Sequence, residues 1–306
     1  MKTAVKVNDL SVRFGEFYAV KHVSFEVAPG EIFGFLGANG AGKTTTIRVL
    51  CGLLVPSAGR VEVAGEGFSD GGLRLKSKVG YMSQKFTLYD DLTVEENLAF
   101  TARLRKLDTA EFNQRRTELL KFIDFQSGFD TLVRDLPGGI KQQVSLVASL
   151  IHDPEVVFLD EPTAGVTPAY RARFWELIRE LANQGRTVFV TTHYMDEAEQ
   201  CGRIALMRSG ELIALDRPEA LKLQVFPRGL LQLDPQSDSA REVARRLKND
   251  PRFTLFQPYG MRFHAELSAE VDGGGIKREL GRDFLVREIR PTLEDVFIRL
   301  VEGSQR

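Results

Sequence analysis

Gly37-Ala38-Asn39-Gly40-Ala41-Gly42-Lys43-Thr44-Thr45 decides the fold class of this chain. From Gly37 to Thr44 it meets the pattern G-x-x-x-x-G-K-[ST] at every fixed position. Glycines at 37, 40 and 42 leave no Cβ in the way of a backbone wrapping an anion, so their N–H groups can converge on a phosphate at a helix N-terminus. Lys43 is suited to bridge the β- and γ-phosphates of a nucleotide, and the Thr44 hydroxyl to ligate Mg²⁺. Apolar Ile32–Leu36 reads as a buried strand feeding the loop, and Thr45–Leu54 as the helix leaving it. A Gly-rich turn beside a chance lysine would lack that order.

A second stretch, Val156-Val157-Phe158-Leu159-Asp160-Glu161, is an apolar strand delivering two carboxylates at its C-terminal end. Ligands of open α/β sheets bind at that edge. Asp160 is suited to hold Mg²⁺, and Glu161 to polarise an attacking water. Alone, the stretch could be a buried strand with a solvated acidic turn. Paired with residues 37–45 it reads as catalytic, although a kinase or GTPase stays open on these two motifs only.

The 306 residues suggest roughly two domains, and 43% hydrophobic content is that of an ordinary globular chain. A net charge of −1 gives no electrostatic footprint for nucleic acid, so no nucleic-acid partner is expected. No apolar run approaches the ~18–20 residues of a membrane span, and the N-terminus lacks a signal-peptide core. A cytoplasmic location is therefore expected, with any membrane connection made through a partner. Cys51 and Cys201 stand alone in apolar contexts, as buried free thiols do.

Residues 4–12 and 18–27 alternate like antiparallel strands, and 60–63 and 79–84 are short strands. From Val94 to about Leu150 the spacing is helical. Strands then return at 155–159 and 187–190, with helices at 169–183 and from Asp196, before a hairpin around Ser209-Gly210. A boundary is expected near Leu223–Arg228. Beyond it the order reads β-α-β-β-α-β-α, with Gly273-Gly274-Gly275 interrupting a helix placed near 268–281.

With both phosphate motifs in place, residues 4–225 resemble the nucleotide-binding subunits of ABC transporters. The resemblance puts Gln84 at the glutamine that senses Mg²⁺ and the transmembrane partner, and His193 at the switch histidine of the γ-phosphate. Phe14, in Arg13-Phe14-Gly15, fits the aromatic that stacks on adenine. The family signature Leu-Ser-Gly-Gly-Gln stands here as Leu136-Pro137-Gly138-Gly139-Ile140, which would face the nucleotide of an opposite subunit. Pro137 suits a first helical turn but removes a hydroxyl donor, costing about 1.5–3 kcal/mol of γ-phosphate binding. Gln143 replaces a usual arginine and Thr167 a common aspartate. Either the branch compensates or the composite site is weakened. Arg290-Pro291-Thr292-Leu293-Glu294-Asp295-Val296-Phe297 looks like the ending of bacterial drug, lipid and polysaccharide export ATPases, with Thr292 capping the last helix.

The resemblance implies an α/β fold, a P-loop ATPase cassette over 1–225. It has a mixed-sheet core, an antiparallel β subdomain and a helical subdomain at about 85–150. A small α+β domain would occupy 226–306. The implied function is ATP hydrolysis, with Lys43, Glu161 and His193 catalytic. Residues 37–45, Phe14, Gln84 and the 136–140 segment would bind ATP, and Thr44, Gln84 and Asp160 would hold Mg²⁺. The implied partners are a membrane permease that exports drugs or other hydrophobic compounds and a second nucleotide-binding subunit, identical or homologous. The chain would then sit on the cytoplasmic face of the inner membrane. A soluble ABC ATPase acting on ribosomes or nucleic acid is the rival, though such chains generally carry two cassettes or a coiled-coil insertion. A small-molecule kinase fits residues 136–140 and 193 poorly.

Overall fold

The structure, a computed structural model, describes residues 3–84, 87–237 and 239–302. Residues 85 and 86, at the head of the segment expected to be helical, lie outside the described residues, as do 1, 2, 238 and 303–306. The chain divides into two compact units, the first ending at Leu215 and the second beginning at Asp216.

The first unit runs β1 (Val5–Phe14), β2 (Phe17–Val27), β3 (Ile32–Leu36), α1 (Lys43–Leu50), β4 (Ala58–Val63), α2 (Leu73–Lys78) and β5 (Val79–Met82). It continues through α3 (Val94–Leu104), α4 (Thr109–Phe122), α5 (Gly138–Leu150), β6 (Val156–Asp160) and α6 (Pro168–Asn183). It closes with β7 (Thr187–Thr191), α7 (Met195–Ala198), β8 (Arg203–Arg208) and β9 (Glu211–Asp216).

Strand order in the main sheet is β5-β6-β7-β3-β8-β9, with β5, β6, β7, β3 and β8 parallel. These strands are apolar on both faces because helices and a second sheet cover them. Strand β7 lies between β3 and β6, so three C-terminal ends converge at one edge: the phosphate loop, Thr191 and the Asp160-Glu161 pair. The antiparallel sheet β2-β1-β4 joins this core through Phe25, which stacks on Phe33 at 5.6 Å between ring centroids. Phe33 and Phe158 in turn pack on Phe189 at 4.9 and 5.2 Å. Helices α3 and α4 pack on α5, and each begins at a reciprocal capping box, Thr93 with Glu96 and Asp108 with Glu111.

Several elements differ from their expected bounds. Helix α1 starts two residues earlier than Thr45 and stops at Leu50, because Gly52 turns into positive φ (68°) and ends the helical path. The helix expected from Asp196 is the single turn α7. Helix α2 carries too few apolar residues to be read from spacing.

The second unit consists of α8 (Pro218–Val225), β10 (Leu230–Pro235), α9 (Ala240–Leu247), β11 (Phe253–Tyr259), β12 (Arg262–Leu267), α10 (Gly273–Leu280), β13 (Phe284–Ile289) and α11 (Leu293–Glu302). Its antiparallel sheet has the order β11-β12-β10-β13. Leu231, Leu233, Ala265 and Phe284 form a core with Ala244 and Leu247 of α9 and Ile276 and Leu280 of α10. The glycine triplet does not interrupt α10 but opens it. The Asp272 carboxylate accepts from the Gly274 and Gly275 amides, so the helix begins at Gly273 rather than near 268. Strand alternation turns His264 away from Ala265, and it meets Asp295 of α11, 2.8 Å from its Nδ1. Thr292 and Asp295 form a capping box, yet Asp295 is fully buried and also accepts from Gln257 at 3.0 Å.

Candidate active site

The phosphate loop is shaped by two close approaches. A Cβ on Gly37 (φ 153°) would fall 2.2 Å from the Met207 carbonyl oxygen, and one on Gly42 (φ 105°) 2.4 Å from that of Ala19. Both positions therefore exclude every side chain. Gly42 caps α1, whose N-terminus supplies N–H groups and positive potential. Lys43, 6% exposed, donates from Nζ to the Gly37 and Ala38 carbonyls at 2.7 and 3.1 Å. Burial lowers its pKa, against the raising effect of the Glu161 and Asp160 charges.

The acidic wall comes from β6. Asp160 Oδ1 accepts from the Thr191 hydroxyl at 2.6 Å, and Oδ2 from the Thr44 hydroxyl at 3.3 Å. The next residue, Glu161, has φ 50°, a left-handed conformation that few non-glycine residues adopt. Its N–H donates to Thr191 Oγ1 at 2.9 Å, which secures the turn. That turn aims the carboxylate back over the loop, where Oε2 accepts from Gln84 Nε2 at 2.9 Å and lies 3.3 Å from His193 Nδ1.

A cavity of about 490 Å³ opens between these groups. Phe14, Phe17 and Ala19 line one side, Asn39, Gly40, Ala41, Gly42, Lys43, Thr44 and Thr45 the floor, and Gln84 and Glu161 the wall. The space suits a nucleotide, with aromatic rings at one end and amides with a lysine at the other. Thr44, Asp160 and Gln84 offer hard oxygen donors of the kind Mg²⁺ takes one or two at a time, alongside water and phosphate oxygens.

Leu136, Pro137, Gly138, Gly139 and Ile140 do not line this cavity. They form the start of α5, with Pro137 as the cap and Gly138 as the first helical residue. Proline fits there because its carbonyl accepts from the Ile140 and Lys141 amides while its missing N–H costs nothing. Leu136 and Gly139 are buried, Pro137 and Gly138 exposed.

No sequence motif marks Phe17 or Thr191, which the structure places at the site. Phe17 follows the β1–β2 turn, and an aromatic three residues after Phe14 was a usable signal. Thr191 matters only because β7 lies beside β6, which spacing along the chain does not disclose. Among the described residues, no helix is long and apolar enough to cross a membrane.

Residues 20–164 match the family described as ABC transporter. The "Probable multidrug ABC transporter ATP-binding protein YbhF" of Escherichia coli (strain K12) is 44% identical over 223 residues, covering 73% of this chain. The match spans only 39% of that relative's length. The Nod factor export ATP-binding protein I of Rhizobium leguminosarum bv. viciae is 36% identical over 305 residues, covering 97% of this chain and 94% of that protein. Among solved structures, an ATP-binding subunit of an ABC transporter superposes with a TM-score of 0.66 at 28% identity, covering 72% of this chain and 93% of that one. A dimeric ATP-binding cassette bound to ADP and Pi, MJ0796, gives 0.62 at 26%, covering 70% and 98%.

Proposed function

Because this chain belongs to the ATP-binding family of ABC transporters, we propose that it is the ATP-hydrolysing subunit driving a separate membrane permease for export. The observation that carries this reading is the similarity to an export ATP-binding protein over 97% of the chain, second unit included. Drugs or other hydrophobic compounds are the proposed cargo, and the cytoplasmic face of the inner membrane the proposed location, reached through the permease. The cassette is proposed to occupy 1–225 and the accessory domain 226–306.

The α1 N-terminus and Lys43 hold the β- and γ-phosphates, while Phe14 faces the adenine. Thr44 and Asp160, with Gln84, hold Mg²⁺, which neutralises phosphate charge when bound. Glu161 accepts the proton of a water whose oxygen attacks the γ-phosphorus, and the bond to the ADP oxygen breaks. His193 hydrogen-bonds the γ-phosphate and is aligned by Glu161. Leu136–Ile140, which leave their own cavity unlined, meet the nucleotide of a second subunit through the Gly138 and Gly139 N–H groups. ATP thus joins two subunits, and loss of the γ-phosphate lets them part.

Replacing Glu161 by glutamine tests the assignment. The expected variant binds ATP, accumulates as a dimer and releases phosphate at least about a hundredfold more slowly. Full turnover would sink the catalytic role. Co-purification of the full chain from membranes with a multi-span protein tests the permease.

A further inference from the structure

Arg171 and Tyr194 lie outside the lining of the nucleotide cavity, yet they meet beside His193. Arg171 stands in the first turns of α6. Its Nε donates to Glu197 at 2.9 Å and its Nη2 to Asp196 at 3.1 Å. Glu197 is 2% exposed and accepts hydrogen bonds from the Thr163 and Thr192 hydroxyls, each at 2.7 Å. The guanidinium is thereby held by two carboxylates of the α7 turn, and one of them, Glu197, is itself pinned by hydroxyls from the turn after Glu161 and from the residue after β7.

So fixed, the guanidinium carbon sits 3.9 Å from the centroid of the Tyr194 ring, in cation–π range. The Tyr194 ring packs on the His193 imidazole with centroids 4.1 Å apart and planes 38° apart. The His193 side chain is 49% exposed, and its contact with Glu161 is 3.3 Å, long for a hydrogen bond. An imidazole on a loop with one long contact would sample several rotamers, and the aromatic face removes that freedom.

We propose that Tyr194, fixed by Arg171, is a positioning residue that holds the His193 imidazole beside Glu161 for the hydrolytic step. The inference rests on the assignment of ATP hydrolysis to this chain. Misplacing a reacting group by about 1 Å costs about a hundredfold in rate, so a partial loss of registry is worth about tenfold.

The test is steady-state ATP turnover by the full chain. Tyr194→Ala should lower kcat about tenfold and leave the KM for ATP within about twofold, because the phosphate loop and Lys43, which carry most of the ground-state binding, lie away from Tyr194. Tyr194→Phe keeps the ring and should stay within about twofold of the parent. Arg171→Lys keeps a charge for Glu197 but loses the planar face, and should lower kcat several-fold at constant KM. In a His193→Ala background, Tyr194→Ala should cost nothing further, since its effect runs through the imidazole. An unchanged kcat in Tyr194→Ala, a phenylalanine variant as slow as alanine, or an added tenfold loss in the double variant would each overturn the proposal. Parental turnover in His193→Ala would instead overturn the histidine's own role, and the inference with it.

Discussion

Tyr170 lies so close over Gly139 that a β-carbon there would fall 2.3 Å from Tyr170 Cγ, with Cδ1 at 2.4 Å and Cδ2 at 2.7 Å. Gly139 belongs to the start of α5 and Tyr170 to α6, directly after the Ala164–Thr167 loop. The ring thus fixes where the exposed Pro137-Gly138 tip points. Gly139→Ala should destabilise the first unit by about 1–3 kcal/mol, as overpacking does. Adding Tyr170→Ala should return much of that loss. Denaturant melts of the single and double variants check the coupling, and simple additivity would argue against it.

His152 gives the first unit a pH dependence. Its Nε2 donates to the Val79 carbonyl at 2.9 Å, and its buried Nδ1 has no hydrogen-bond partner among the described residues. A proton on Nδ1 would be stranded. Burial and then the Arg105 charge lower its pKa from 6.5 to about 4. The unfolded chain takes up the proton first, so the contribution is whole above pH 6.5 and drains as pH falls toward 4. The full loss, reached below pH 4, amounts to about 3 kcal/mol. Replacing His152 by glutamine should flatten stability against pH over that interval, measured by urea melts.

Asp295 does the same for the second unit at lower pH. Burial raises its pKa, but hydrogen bonds from His264 and Thr292 outweigh it and hold the carboxyl below its usual range. That stabilisation is present above the ordinary aspartate value near 3.9 and is lost as pH falls through the lowered folded value. Asp295→Ala should cost about 3 kcal/mol, because it strands His264 and Gln257 and removes a cap. Hydrogen exchange of the β12 amides in the full chain reads this locally, with β6 and β7 unaffected.

Phe14 and Phe17 both line the nucleotide cavity, 53% and 65% exposed. Exposed rings at a pocket mouth are available for stacking. Phe14→Ala should weaken ATP binding about fivefold, or about 1 kcal/mol, with kcat unchanged at saturation. Titration with a fluorescent nucleotide measures it, and a larger loss in Phe17→Ala would move the stacking role to Phe17.

What the sequence disclosed followed from how local each constraint is. Residues 37–45 and 156–161 announce themselves because a phosphate cradle and an acidic strand end are each built from consecutive residues. The roles of Thr191, Arg171 and Tyr194 arise where β7, α6 and the α7 turn meet, and no spacing encodes that meeting. Helix α8 went unread because eight residues opening with proline carry too short a pattern. The triplet at 273–275 was misread as a break because the decisive residue was the Asp272 cap before it. The Thr292 cap was legible, but the burial of Asp295 against His264 depends on which face of β12 the histidine takes.

The left-handed backbone at Glu161 has a consequence for how this chain can change over time. A non-glycine residue at φ 50° carries about 1–3 kcal/mol of strain. Glycine at 161 would relieve that strain, and asparagine part of it, while deleting the carboxylate proposed to take the proton from water. On the proposed role of Glu161, the most durable sequence at this position is therefore not the working one, and selection for robustness alone would drift toward a chain that grips ATP without turning it over.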